Sequence, residues 1–341
     1  IQEGIEALNA AKNPLILVGG AALEEKNLIK IAKIADKMNC QIKTDWFNAR
    51  LDKGAGRINS VRIPYVVDNA VEVLKSFDTI IVIGARRPVA FFAYPNKPGV
   101  LTQDSTKFVE LASLSDDITD LIEKMSDKIG VSNKVPSTTS ELKIPEIPKG
   151  PINTTSLGMV LGALIPENAI VVDESVTTGR EFFNQTAGSC PHTWLNNCGG
   201  SIGFGMPVAI GAATACPDQK VIALEGDGSA MYTVQSLWTM ARENLDITVL
   251  IFANQSYKIL QGELTNVGVT NPGKSALEML SLKDPSLDWV SVSKGMGVDG
   301  VRVDNIEDLV KNFKHGLKEN GPFLIEAVSY THLTLPTSYA V

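Results

Sequence analysis

Histidine is scarce in this sequence: His192, His315 and His332 are the three in a chain of 341 residues. None has neighbours that suggest a positioned base, so a Ser-His-Asp hydrolase is not expected. His315, in NFKHGLKENG, reads as the end of a surface helix. Cysteine is nearly as sparse. Cys40, Cys190, Cys198 and Cys216 are widely spaced with no C-x-x-C, which excludes a disulfide framework or zinc ribbon and suits a reducing, cytoplasmic setting. No apolar run reaches the ~18–20 residues of a bilayer span. The opening stretch IQEGIEALNAAKNP lacks a basic region followed by an apolar one, so neither a signal peptide nor a membrane partner is expected. The net charge of −7 argues against broad capture of nucleic acid. What is present is ordinary for a globular protein, with 44% hydrophobic and 20% charged residues, and the length suits about two domains.

Short apolar runs alternate with helical periodicity. Residues 14–20 (PLILVGG), 79–85 (TIIVIGA) and 107–113 (KFVELAS) read as strands, and 27–39, 66–76 and 116–129 as helices. Residues 131–152 carry Pro136, Pro145, Pro148 and Pro151 with no sustained period, as an extended linker would. Beyond them, helices are expected at 155–164, 207–215 and 233–243. Strands are expected at 169–174, 220–227, 247–254 and 323–328. The pattern predicts an α/β chain of two Rossmann-like domains with parallel sheets flanked by helices. The first domain covers 1–130, the linker 131–152 and the second domain 153–328; there is no short-period repeat. Residues 329–341 (SYTHLTLPTSYAV) break this logic and read as a non-native tail, which takes His332 out of consideration.

Three blocks carry chemistry. Gly226-Asp227-Gly228-Ser229 closes a strand, and Asn254 closes the next. In a parallel sheet both side chains reach the same edge, where ligands bind. A carboxylate and an amide oxygen suit Mg²⁺ when diphosphate oxygens complete its shell, and glycines let backbone N–H groups approach phosphate. Alone, Gly-Asp-Gly is also a common strand-to-helix turn. The second block, NNCGGSIGFGMPVAIGAA (196–213), is a glycine-dense turn before a buried helix; a tight turn explains the glycines but not the bulky Ile202. The third, VVDESVTTG (171–179), offers Ser175 and Thr177 at a strand end, as helix caps or as phosphate contacts.

Together these blocks resemble the C-terminal two-thirds of thiamin-diphosphate-dependent decarboxylases and acetolactate synthases, over residues 1–328. The core of the match is EGDGSAMYTVQSLWTMARENLDITVLIFANQSYKILQ; with GARRPVAFFAYPNKPG (84–99), the pattern looks like acetolactate-synthase-like proteins grouped near benzoylformate decarboxylases. The resemblance implies thiamin diphosphate and Mg²⁺ as cofactors. It assigns Mg²⁺ to Asp227, Asn254 and the carbonyl of Ser256. It gives the cofactor Gly226, Gly228, Ser229, Tyr257 and Lys258, with Ser175 and Thr177 by looser alignment. Ile202 would be the apolar wedge that bends the cofactor, and the Gly200 carbonyl would accept from its aminopyrimidine. Ile259, Leu260 and Glu263 would line the substrate pocket. The sequence departs from the family at Ala253, where the first Asn of Asn-Asn is lost, at Lys258, where several relatives have Gly, and at Glu263, where synthases place Trp.

The implied activity is decarboxylation of a small 2-oxo acid followed by carboligation, with simple decarboxylation of the benzoylformate type as the alternative. FAD is not implied. The activating Glu of the family would sit in an N-terminal domain that this chain lacks. No catalytic residue is therefore assigned within this chain, the chain alone is expected to be inactive, and a homodimer or homotetramer is expected. Two readings of other classes stand beside this one. A non-catalytic scaffold would bind no cofactor. A P-loop module would use Gly268-Val-Thr-Asn-Pro-Gly-Lys274-Ser275, which fits G-x-x-x-x-G-K-S. That loop is instead expected to be a decoy: polar sequence precedes it rather than a buried strand, and Pro272 removes an N–H from the cradle.

Overall fold

The computed structural model describes residues 1–329; His332 and the remainder of the expected tail lie outside the described residues. Two compact units are present. One comprises Ile1–Leu142, Thr193–Gly199 and Asn266–Val269; the other comprises Lys143–His192, Gly200–Thr265 and the described residues from Thr270 onward.

In the first unit, β1 (Pro14–Val18), β2 (Gln41–Thr44), β4 (Val61–Arg62), β5 (Thr79–Ile83) and β6 (Lys107–Ala112) form a sheet ordered β4-β2-β1-β5-β6, with every pair parallel. β1 and β5 are buried at every position, as strands covered on both faces must be, which is why their sequences are unbroken apolar runs. The helix Glu25–Met38 buries Leu28, Ile31, Ile34 and Ala35 at helical spacing and stops at Asn39, in a left-handed conformation at φ 50°. The helix Ile118–Ile129 begins where the Asp117 carboxylate accepts from the Asp120 N–H. Leu15, Leu17, Val67, Leu74, Ile80 and Val82 form one apolar cluster in this unit. Each such side chain contributes about 1.5–3 kcal/mol by leaving water.

The second unit is built on β7 (Ile170–Glu174), β9 (Val221–Gly226), β10 (Ile247–Ala253), β11 (Asp299–Val303) and β12 (Phe323–Val328). They lie in the order β11-β12-β10-β9-β7, again all parallel. β10 is buried at all seven positions, and its Phe252 ring meets Phe182 edge-on at 5.3 Å. His315 sits in the last turn of the helix Ile306–Gly316, as its sequence context predicts. The remaining strands, β3 (Arg50–Lys53) and β8 (His192–Asn196), are neighbours; within the first unit, Thr193 Oγ1 donates to Asp52 at 2.7 Å.

The proline-rich stretch is held by specific bonds. Ser137 N–H donates to Asp36 at 2.8 Å, and Ser140 exchanges backbone bonds with Arg57 and Gly56. On the other side of the division, Lys143 N–H donates to the Gly188 carbonyl, and the Gly150 carbonyl accepts from Ile306. Ser329 donates its N–H to the Ala253 carbonyl at 3.1 Å and is buried.

Candidate functional site

The parallel register of β9 and β10 pairs Gly226 with Phe252, so the two strands end side by side. Beyond β9 the chain turns into the short helix Asp227–Ala230, all four of whose residues are buried. The Asp227 carboxylate accepts from the N–H of Gly228 at 2.9 Å and of Gln255 at 2.6 Å. Burial pushes this carboxyl up to about 6, while the backbone N–H groups of Gln255, Gly228 and Asn254 pull it back towards the ordinary value. Asp227 and Asn254 are therefore brought together, as their strand-end positions predict.

Asn254 turns its side-chain oxygen onto the Ser256 N–H at 2.9 Å. Between them, Gln255 holds a left-handed φ of 55°. The far side of this turn is braced: Tyr257 N–H donates to the Leu280 carbonyl and Leu282 N–H to the Gln255 carbonyl. These bonds flank an antiparallel bridge between Ser256 and Ser281. In that pattern the carbonyl of Ser256 itself points away from the bridge. Ser256 Oγ is spent internally, donating to Leu280 and accepting from Gln261. A Cβ placed on Gly228 would lie 2.5 Å from the Tyr257 ring, so the ring rests directly on that glycine.

The third block arrives at the same edge. Ser175 follows β7 and is buried, with its N–H and Oγ both donating to Asp173. Its carbonyl lies 3.9 Å from where a Gly226 side chain would begin. Val176 is left-handed at φ 49°, an unusual conformation for a β-branched residue, and Thr177 beside it is half-buried. The second block supplies the loop Gly200–Phe204 before the helix Gly205–Ala215. Gly200 and Gly203 have φ of 68° and 90°, which explains the glycines. Ile202 is half-buried on that loop. Gly203 packs against Tyr232, and Thr233 Oγ1 donates to the Gly203 carbonyl at 3.0 Å. Burial, with the charges of Tyr232 and Asp227 nearby, raises the Tyr257 hydroxyl, so the loop and the Asp227 turn are neighbours.

Lys258, Ile259, Leu260 and Glu263 lie on the helix Lys258–Asn266, directly after the braced turn. Lys258 Nζ donates to Gln261 Oε1 at 3.2 Å, and Leu260 is exposed.

Two residues at the centre of this region lie inside the motif blocks but were given no role by them. Glu174 and Glu225 face each other in the register of β7 and β9, both essentially without solvent contact. Burial and the charge of Glu174 push the Glu225 carboxyl well above the usual range. Burial raises the Glu174 carboxyl as well, against the pull of the backbone N–H groups that bind it. Glu174 in turn accepts from three successive N–H groups: Gly203 at 2.5 Å, Phe204 at 3.3 Å and Gly205 at 2.8 Å. The signal for them in the sequence is a carboxylate inside each of two otherwise apolar strands, VVDE and IALEG.

A magnesium-diphosphate group fits this arrangement. Asp227, Asn254 and the Ser256 carbonyl offer oxygen alone, as a hard divalent cation requires, and a cation would offset the burial cost carried by Asp227. Among the described residues, no cluster of three His, Cys, Asp or Glu could hold a metal. A mixed set of one carboxylate, one amide and one carbonyl is of another kind.

The P-loop pattern lacks its required context. A helix, Lys258–Asn266, precedes it instead of a strand, and Lys274 is 88% exposed and pairs with Glu278 at 3.5 Å. Lys274→Ala is accordingly expected to shift stability by less than about 0.5 kcal/mol. Titration of ATP into wild type and variant should give the same flat trace.

Residues 179–327 match the family described as thiamine pyrophosphate enzyme, C-terminal TPP binding domain. The "Putative acetolactate synthase large subunit IlvX" of Mycobacterium tuberculosis is 38% identical over 322 residues, covering 94% of this chain and 62% of that protein. Benzoylformate decarboxylase of Pseudomonas aeruginosa is 32% identical over 182 residues, 53% of this chain and 33% of that enzyme. Among solved structures, a thiamine diphosphate-dependent 4-hydroxybenzoylformate decarboxylase of Rhodococcus jostii RHA1 superposes with a TM-score of 0.78 at 24% identity, covering 96% of this chain and 63% of that one; this likeness is one of fold. The chain thus spans about three fifths of the length of the relatives it matches from end to end. Residues 179–327 thus match the C-terminal TPP-binding domain family of thiamine pyrophosphate enzymes, in a chain similar to acetolactate synthase large subunits and benzoylformate decarboxylases.

Proposed function

We propose that this chain provides the diphosphate- and metal-binding part of a thiamin-diphosphate enzyme acting on a small 2-oxo acid, in the manner of an acetolactate synthase: decarboxylation, then carboligation of pyruvate. The observation that carries this reading is the meeting of Asp227 and Asn254 at the ends of adjacent strands, with the Ser256 carbonyl directed away from its bracing bridge.

The cofactor, when bound, supplies the electron sink that a 2-oxo acid needs to lose CO₂. The chain's own residues bind and orient. Asp227, Asn254 and Ser256 would hold Mg²⁺. Gly226, Gly228 and Ser229 would present backbone and hydroxyl groups to the diphosphate, with Ser175, Thr177, Tyr257 and Lys258 around it. The Gly200 carbonyl would accept from the aminopyrimidine, and Ile202 would hold the bend. Ile259, Leu260 and Glu263 would face the substrate; a carboxylate at Glu263 in place of an aromatic ring makes the acceptor side more polar. The activating acid is not assigned among residues 1–341, and the assembly would be a cytoplasmic homodimer or homotetramer.

A benzoylformate-type decarboxylase is the second reading, favoured by the identity to the Pseudomonas enzyme. Assays of the complete protein with Mg²⁺ and thiamin diphosphate separate the two. Acetolactate formed from pyruvate supports the first. Benzaldehyde from benzoylformate with pyruvate untouched would replace it by the second, and no turnover or cofactor binding at all would overturn both.

A further inference from the structure

The chemistry proposed for the site makes no use of Glu174, yet this side chain has the most demanding surroundings in the second unit. It emerges from the last position of β7 and receives three consecutive backbone N–H groups, those of Gly203, Phe204 and Gly205. Gly203 and Gly205 are themselves buried, so without the carboxylate their N–H groups would be left unsatisfied, at about 1–3 kcal/mol each. The opposite side of the carboxylate is closed by Glu225, which faces it in the register of β7 and β9. A Cβ on Gly205 would come within 2.2 Å of Glu225 Oε1 and 2.9 Å of Glu174 Oε2, so no side chain can enter between the pair and the backbone they face.

The segment held in this way is continuous with Gly200 and Ile202. Ile202 immediately precedes the first anchored N–H, and Gly203 adds a left-handed turn at that point. We propose that Glu174 is a positioning residue for the cofactor: its carboxylate clamps the Gly203–Gly205 backbone and so sets Ile202 in place before thiamin diphosphate arrives. This inference rests on the reading of the Gly200–Ile202 segment as the part that meets the cofactor. The clamp makes the loop a preformed wall, so that binding does not have to order it.

Glu174→Gln is the test. The amide keeps one acceptor oxygen and replaces the other with an NH₂ group that opposes the N–H donors. Two readouts are taken on this chain: amide hydrogen exchange at residues 203–205 without cofactor, and calorimetric titration of thiamin diphosphate with Mg²⁺. Exchange at the three amides is expected to quicken at least tenfold, and the affinity to fall roughly tenfold. Glu326→Gln, which removes another buried carboxylate from the same sheet, should change neither, since a general loosening of the unit would move both. Should Glu174→Gln not fold, Glu174→Asp, which keeps the charge but shortens the reach, should shift both readouts in the same direction.

Unchanged exchange at 203–205, faster exchange with unchanged affinity, or equal effects from Glu326→Gln would each overturn the assignment. A wild-type chain that binds no cofactor under these conditions overturns the inference together with the reading it rests on. Wild-type binding combined with a silent Glu174→Gln overturns the inference alone.

Discussion

Asp227→Ala is expected to weaken Mg²⁺-dependent binding of thiamin diphosphate at least 100-fold, on the order of 3 kcal/mol, while the fold persists. Asp227 is the one carboxylate in the proposed ligand set. Its stability effect should be small or of opposite sign. The carboxyl is raised to about 6 in the folded chain by burial. An acid with a raised folded value opposes folding in its ionised form. That opposition is absent below its ordinary value near 4, grows as the pH climbs to about 6, and is complete above it. In the absence of metal, wild type should gain stability on acidification from pH 7 to pH 5 by roughly 1.3 kcal/mol, towards a total of about 3 kcal/mol that is reached only below pH ~4. The Ala variant should lack this gain. Calorimetric titration and thermal melts across that range separate the two effects; binding retained by the variant would remove Asp227 from the metal site.

Phe252→Ala should destabilise the second unit strongly, by about 3–5 kcal/mol. Phe252 occupies the sixth position of β10, a strand buried at all seven positions, and lies edge-on to Phe182. Truncation leaves a cavity between the sheet and the Phe182 ring packed on it. Because Phe252 pairs with Gly226 in register, the two strand ends that carry Asp227 and Asn254 share the disturbance. Denaturant melts should show the loss in the midpoint, with the slope retained. A cost below about 1 kcal/mol would mean that the strand ends are not coupled through this core.

The unbroken apolar strands were legible because burial on both faces forces a composition that few other elements share: PLILV, TIIVI and ITVLIFA each read as strands without ambiguity. The shorter strands did not, because segments such as Gln41–Thr44 and Arg50–Lys53 mix polar or charged residues with apolar ones and are too short to show a period. The helix Lys258–Asn266 was hidden for a related reason, having no buried residue and so no apolar stripe. At the site, the meeting of Asp227 and Asn254 was legible because they follow the ends of two successive strands, which a parallel sheet brings to one edge. Glu174 and Glu225 were passed over because a carboxylate gains meaning only from what it faces, and the loop that Glu174 anchors is some thirty residues away in the chain.

Val176 and Gln255 stand in left-handed backbone at the two strand ends that flank the Asp227 turn, where glycine would sit without strain. Each departure costs on the order of 1–3 kcal/mol in the folded state. A glycine would relieve that cost, but it would also widen the range of shapes open to each turn. Seating a charged ligand would then have to narrow that range again, at a loss of conformational entropy. The two side chains keep the turns narrow beforehand, so the folded chain bears as standing strain what a looser site would meet afresh at every binding event.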